Sequence, residues 1–483
     1  MLVLLTIGIF IGMVFGAIPG LTAALAVSLL LPFTFAMTAY QGITTLIGAY
    51  VGGISGGLIA AILLNIPGSP ASLVTCFDGS PMAKQGRPND ALTLGVFSSL
   101  IGGLISALAL VLIAPQLAKV ALKFGPWEYF AMGVMGLSVV ISLSSASKVK
   151  GFISAMIGLI LTSIGIDEVS AVPRLTFGFW QMNAGLDQLA VLMGLFALGE
   201  ILSQLRNLSG DYETLAVGKV KTFPTKEMLK NTGKTHLIGS AIGTFIGILP
   251  GIGQTTASLF SYTICRQTSA YPEKFGTGLN EGIVASESAN NACCGGALIP
   301  MLTMGIPGDL VTSVLLGGLI VHGLQPGPLL FTTSLDIVGL VFAVYLLANI
   351  IMFVMEMGLM KLFIKLLKVP LNLLFPVITL MCVVGTITQH NRIFDTWVLL
   401  VVGLIGYVLQ CNGFPLSPIV LGYILGGIIE SNFRTALIGS RGSVLPLFSR
   451  PISMGLLIVA VLMLVIPMLL GKIQANKNAK AAA

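Results

Sequence analysis

Apolar runs of about 18 residues or more recur along the chain, separated by short polar stretches, and none alternates as a membrane β-strand does. At roughly 20 residues per crossing they predict an all-α polytopic integral membrane protein with about 10 to 12 transmembrane segments. Past residue 90 the runs fall near 91–115, 129–147, 151–166 and 186–205, then near 336–358, 371–390, 396–412, 415–430 and 452–471. The run from Met1 past Leu30 has no basic residues before it, so it is expected as a mature span rather than a cleaved leader.

The runs contain a repeat. Gly8–Gly20 aligns without a gap on Gly239–Gly251, so that Gly8, Gly12, Gly16, Pro19 and Gly20 fall on Gly239, Gly243, Gly247, Pro250 and Gly251. Glycines four apart line one helix face and admit another backbone closely, while Pro-Gly stops the helix. Gly56–Gly68 matches Gly296–Gly308 in the same way, with Ile66, Pro67 and Gly68 on Ile306, Pro307 and Gly308 and a nine-residue change of register. The chain therefore reads as two repeat halves, 1–205 and 235–483, built on discontinuous Pro-Gly-broken helices and joined by a basic cytoplasmic linker at 206–234.

Charge sets their relative orientation. The polar loop Phe77–Asp90 after the first Ile-Pro-Gly carries Lys84 and Arg87, whereas its counterpart His322–Ser334 has neither Lys nor Arg and the next loop carries Lys361, Lys365 and Lys368. Matched loops on opposite sides favour an inverted repeat. By the same rule Lys148 and Lys150 mark a cytoplasmic loop, and Asp167 with Glu168 an external one.

Unwound backbone at membrane depth persists only where it is buried in protein or lines an aqueous cavity, and paired breaks in related halves mark binding sites in secondary transporters. Free N–H groups at such breaks suit an anion, and released carbonyls suit a coupling cation. The candidate substrate- and ion-binding set is the breaks themselves, Pro19, Gly20, Gly68, Pro250, Gly251, Gly253, Pro307 and Gly308, with polar neighbours Thr22, Asn65, Ser69, Gln254, Thr255 and Thr303; Thr256 and Asp309 flank the same breaks. Each polar neighbour can also serve only to satisfy local backbone. Glu287, Asn290 and Asn291 share a helical face at spacings of three and four, and ionisable residues at membrane depth are functional candidates. Glu281 and Asp78 are expected in solvated loops, and Glu200, Glu356 and Glu430 near span ends as snorkelling or capping residues.

Composition agrees with this reading. Of 483 residues 55% are hydrophobic and 9% charged, against about 25% charged in soluble domains. The net charge of +7 is spread over short loops, so no nucleic-acid partner is implied. The cysteines, at 76, 265, 293, 294, 382 and 411, form no CxxC, and the histidines, 236, 322 and 390, lack ligand spacing, so neither a disulfide framework nor a metal site is expected. GxxxxGK[ST] is absent, which disfavours an ATP-driven pump, and no nucleophile and base stand at useful spacing, which predicts no enzyme activity.

The paired glycine-proline segments, the loop CFDGSPMAKQG from Cys76 to Gly86, and the run ESANNACCGGALIPMLTMGIPGD from Glu287 to Asp309 resemble the large membrane subunit of tripartite tricarboxylate transporters over essentially the whole chain. That resemblance implies a bacterial inner-membrane permease importing citrate-like or other carboxylates, coupled to an ion, sodium before protons, with no further cofactor. It implies a small membrane subunit and a periplasmic solute-binding protein as partners beside the lipid bilayer, and leaves a homodimer open. The family's segments fall on Pro19, Gly20, Pro250, Gly251, Asn290, Asn291, Pro307 and Gly308. The alternative is a channel or scaffold in which the breaks are packing devices.

Overall fold

The computed structural model describes residues 1–143, 147–167, 170–205, 223–230, 232–367, 369 and 371–465, which excludes Glu168, Lys368 and most of the 206–234 linker. Along the chain come α1 (Leu2–Ala17), α2 (Ala23–Thr34), α3 (Ala39–Leu64), α4 (Cys76–Lys84), α5 (Pro88–Ala121), α6 (Pro126–Leu143), α7 (Lys148–Thr162), α8 (Gln188–Met193) and, after a π-helical turn at Gly194–Leu198, α9 (Gly199–Leu205). Then follow α10 (Lys226–Lys230), α11 (Gly233–Ile248), α12 (Gly253–Thr268), α13 (Asn280–Met304), α14 (Leu310–Val321), α15 (Leu330–Thr333), α16 (Leu335–Leu366), α17 (Leu371–His390), α18 (Ile393–Cys411), α19 (Leu416–Gly439), α20 (Leu445–Ser449) and α21 (Pro451–Val465). The strands found among the described residues are Gly165–Ile166 and Pro173–Arg174, paired antiparallel. Among the described residues six helices are long and apolar enough to cross a membrane, and five shorter apolar ones accompany them, as expected of an all-α polytopic membrane protein.

Two compact units divide the chain, Met1–Lys119 with Gln188–Tyr407, and Val120–Asp187 with Val408–Ala483. The first holds both copies of the repeat. In the N-terminal copy α1 packs on α3 through its glycines: a Cβ at Gly8 would lie 2.2 Å from the Thr45 carbonyl oxygen, at Gly12 2.3 Å from that of Ala49, and at Gly16 2.3 Å from that of Gly53. The C-terminal copy repeats the arrangement between α11 and α13, with Gly243 meeting the Ala289 carbonyl at 2.3 Å and Gly247 that of Cys293 at 2.4 Å. Partners advance together along each pair, so the two helices of a pair run in the same direction. No side chain fits there.

The equivalent helices α3 and α13 run in opposite senses. Met301 lines a small cavity with Ile43, Leu46 and Ile47, while seven residues earlier Cys294 lies, through Gln254, beside Tyr50. Matched helices crossing in opposite directions are what the charge argument requires of an inverted repeat.

Two expectations fail in this unit. Phe77–Asp90 is not a solvated loop: Cys76–Lys84 is helical, and Asp78 is 1% exposed. Its carboxylate receives the backbone amides of Gly276, Gly278 and Leu279 at 2.8 to 3.0 Å and the Tyr262 hydroxyl at 2.7 Å, so burial leaves it fully bonded. Glu356 is not a snorkelling residue either, because it sits mid-way along α16 and is wholly buried.

In the second unit α7 and α19 pack in the same direction, Gly158 meeting Gly422 and Thr162 meeting Gly426. Glu430, expected as a cap, belongs to a network: Arg174 reaches it at 2.5 Å and Arg434 at 2.7 Å, and both arginines also hold Asp167, at 3.4 and 2.7 Å. Bonds from the Ser170 side chain and amide, together with Arg434, hold the Asp167 carboxyl well below the usual carboxylate range.

Candidate functional site

The four breaks form two matched pairs. α1 ends at Ile18 with φ −82° and ψ 119°, and α11 ends at Leu249 with φ −82° and ψ 118°. The following Pro-Gly turns place Gly20 at φ +87° and Gly251 at +74°, a region that excludes most side chains. α3 and α13 both end on left-handed residues, Asn65 at φ 57° and Gly305 at 71°. Gly68 then returns against the Gly16 carbonyl, and Gly308 against that of Gly247. In the second half the pair is also bonded directly, the Gly251 amide donating to the Gly308 carbonyl at 2.9 Å.

Around the second-half pair the side chains close a complete network. Asp309, 2% exposed, caps α14, accepting from the Thr312 amide and hydroxyl at 2.6 Å each. The Tyr50 hydroxyl and the Gln254 amide both donate to its other oxygen, and Gln254 Nε2 also lies 3.1 Å from the Tyr50 oxygen. Donors from α3, α12 and α14 thus surround one carboxylate.

The first-half pair is built from smaller groups. In the repeat register Ser69 stands where Asp309 does, Asn290 where Tyr50 does, and Ala23 where Gln254 does. Ser69 and Ser72 are buried on the short turn after the break, and neither hydroxyl has a partner. Asn290 is 0% exposed, and neither of its amide atoms is bonded.

Asn290 belongs to α13, which is buried at every residue from Gly282 to Thr303 despite its polar sequence. Glu287 there receives the Thr75 hydroxyl, the Ser99 hydroxyl at 3.2 Å and the Asn291 amide at 3.4 Å. Glu356 on α16 receives the Ser55 hydroxyl at 2.6 Å, and its second oxygen is unpartnered. Tyr345 links Ser106 at 2.9 Å to the Asn291 carbonyl at 3.3 Å.

Of the candidates from sequence, Glu287, Asn290 and Asn291 lie together on α13, Gln254 joins Asp309, and Ser69 lies buried after its break. Pro19, Pro250, Pro307, Gly68 and Gly308 are buried parts of the breaks, while Gly20, Gly251, Gly253 and Thr255 are half-buried there. Gly20 faces the Gln204 side chain, which donates to Glu200 at 2.8 Å. Three residues do local work: Thr22 caps α2 through the Leu25 amide at 3.1 Å, Thr303 bonds back to the Ile299 carbonyl at 2.7 Å, and Asn65 exposes its side chain from a left-handed helix end. Sequence reasoning passed over Tyr50, Ser55, Ser72, Thr75 and Ser99, and assigned Glu356 to a span end. A repeat alignment extended to position 50 would have signalled Tyr50 against Asn290.

A profile of the tripartite tricarboxylate transporter TctA family matches residues 2–421. An uncharacterised 52.8 kDa protein from the TAR-I ttuC′ 3′ region of Agrobacterium vitis is 34% identical over 463 residues, covering 96% of this chain and 92% of that protein. An uncharacterised protein from the TAR-II ttuC′ 3′ region of the same organism is 34% identical over 233 residues, 48% of this chain and 96% of its own length. No solved structure matches. With its glycine-packed repeats, its paired helix breaks and a profile match over nearly its full length, the chain belongs to the tripartite tricarboxylate transporter TctA family.

Proposed function

We propose that this chain is the large permease subunit of a binding-protein-dependent secondary transporter that imports carboxylates, citrate-like or related, across the bacterial inner membrane. Its partners are a small membrane subunit and a periplasmic solute-binding protein, and it is driven by a cation gradient, sodium before protons. The observation that carries the reading is the matched pairs of helix breaks, one pair filled by its own side chains and the other left with unbonded buried polar groups. A kink used only for packing needs neither.

The two kinds of glycine do different work here. Gly8, Gly12, Gly16, Gly243 and Gly247 are filled by backbone, as the packing reading holds. Gly20 and Gly251 are half-buried, and α12 begins after Gly251 with no side-chain cap, an end whose first amides suit a carboxylate. The delivered acid binds at these amides, and one repeat-built body moves to expose it to the other side. No covalent step is required.

Proteoliposomes holding this chain, its small subunit and the binding protein test the reading with labelled mono-, di- and tricarboxylates, with and without a sodium gradient. Gradient-dependent uptake of one acid is expected, falling about tenfold in Gly251→Ala, whose left-handed backbone disfavours a side chain. If folded protein moves no carboxylate in any gradient, the breaks are packing devices.

A further inference from the structure

We propose that Ser69, Ser72 and Asn290, at the first-half break, bind a carboxylate group of the transported acid in the place where the second half holds the carboxylate of its own Asp309. The inference rests on the proposed carboxylate transport for its ligand, and it adds a second point of attachment to the α12 amides.

One register relates the two places. It carries Ser69, Ser72 and Thr75 onto Asp309, Thr312 and Leu315, and Leu46, Ile47 and Tyr50 onto Ser286, Glu287 and Asn290. Contacts between the copies obey it. The Thr75 hydroxyl donates to Glu287 and lies 3.3 Å from that of Ser286, and the counterparts Leu315, Ile47 and Leu46 line one cavity together. The bond from Tyr50 to Asp309 therefore has its counterpart in Asn290 facing Ser69. Ser69 and Ser72 meet directly, since a Cβ at Gly57 would lie 3.1 Å from the first hydroxyl oxygen and 2.3 Å from the second.

Asp309 shows what this scaffold holds. Its carboxylate takes donors from Tyr50 on α3, Gln254 on α12 and Thr312 on α14. At the matched place serine ends one atom short of a carboxylate, and Asn290 is shorter than tyrosine by most of a ring. Both hydroxyls and both atoms of the Asn290 amide are buried without a partner. A carboxylate can accept from all of these O–H and N–H donors at once, and such charge-assisted bonds are the strong ones. A cation would meet only neutral oxygens here, because Glu287, one turn before Asn290, already accepts from Thr75, Ser99 and Asn291.

Equilibrium binding of labelled acetate, succinate and citrate to the purified full chain, with melting temperatures at constant ionic strength, tests the proposal. Saturable binding of at least one acid is expected, with a rise in melting temperature that the acid itself causes. Ser72→Ala and Asn290→Ala should each weaken it about tenfold or more. Ser69→Asp gives the first half its own carboxylate, so it should abolish binding and the acid-induced rise while the protein without acid melts no lower than the wild type. Should Ser69→Asp fail to fold, the two alanine variants still decide. Unchanged affinity in them overturns the site, as does a loss of sodium binding with carboxylate affinity kept. Absence of binding to the wild-type chain also overturns it, whereas gradient-driven uptake by the complete system would then leave the transport reading standing.

Discussion

The two break regions share a backbone and differ in everything attached to it. The ends of α1 and α11 agree to within a degree in φ and ψ, yet one region is filled by Tyr50, Gln254 and Asp309 and the other carries Asn290, Ala23 and Ser69 at the matched positions. Fold in this protein is set by glycine against backbone carbonyl, a contact indifferent to side-chain chemistry. Function is then free to diverge between copies, one bonding itself shut and the other left incomplete.

The most severe way to break the comparison is through that shared scaffold. Gly16→Leu and Gly247→Leu should both abolish folded protein by size-exclusion profile, because the new Cβ alone would lie 2.3 or 2.4 Å from a fixed carbonyl oxygen. A tolerated change in one copy would show that the halves are not packed alike.

Next comes the closed network. Asp309→Ala removes an α14 cap and strands the Tyr50 and Gln254 donors, and should cost about 3 to 5 kcal/mol in stability. Ser69→Ala at the matched position removes a hydroxyl that has no partner and should change stability by less than about 0.5 kcal/mol. Comparable losses at both positions would mean the first-half region is as fully bonded as the second. A milder probe is Tyr262→Phe, which takes one of several donors from Asp78 and should cost about 1 kcal/mol, read as a small drop in melting temperature.

The smallest effect lies in the other compact unit. The Asp167 carboxyl is held below its ordinary range in the folded state, so its contribution is present above the unfolded value and is lost as pH falls toward the folded one. Acid titration of melting temperature should show a shallower fall below about pH 4 in Asp167→Asn than in the wild type. Identical profiles would remove Asp167 from the acid response.

Much of this was legible because glycine and proline act through the backbone, whose demands show in sequence: the breaks at Pro19, Pro250 and Pro307 and the glycine spacing all lie where the repeat puts them. Burial was not legible. α13 has the length of a span but not the hydropathy, so Glu287, Asn290 and Asn291 read as borderline and Asp78 as solvated, although the structure buries them all. What makes that burial possible is partners distant in sequence, such as Ser99 for Glu287, Ser55 for Glu356 and Gly276–Leu279 for Asp78. No local pattern announces those pairings.

The polarity of α13 also sets an order in time. A helix that reads NEGIVASESANNACCGG is one that lipid alone would reject, since its amides and acids find no partners in hydrocarbon. Its hosts, including Thr75, Ser99 and the glycine face of α11, precede it in the chain, and so does Asp78, which binds the amides just before its first turn. During synthesis α13 therefore enters the bilayer as a guest of helices already in place, and a ribosome stalled before α13 would leave those hosts facing lipid with nothing to receive.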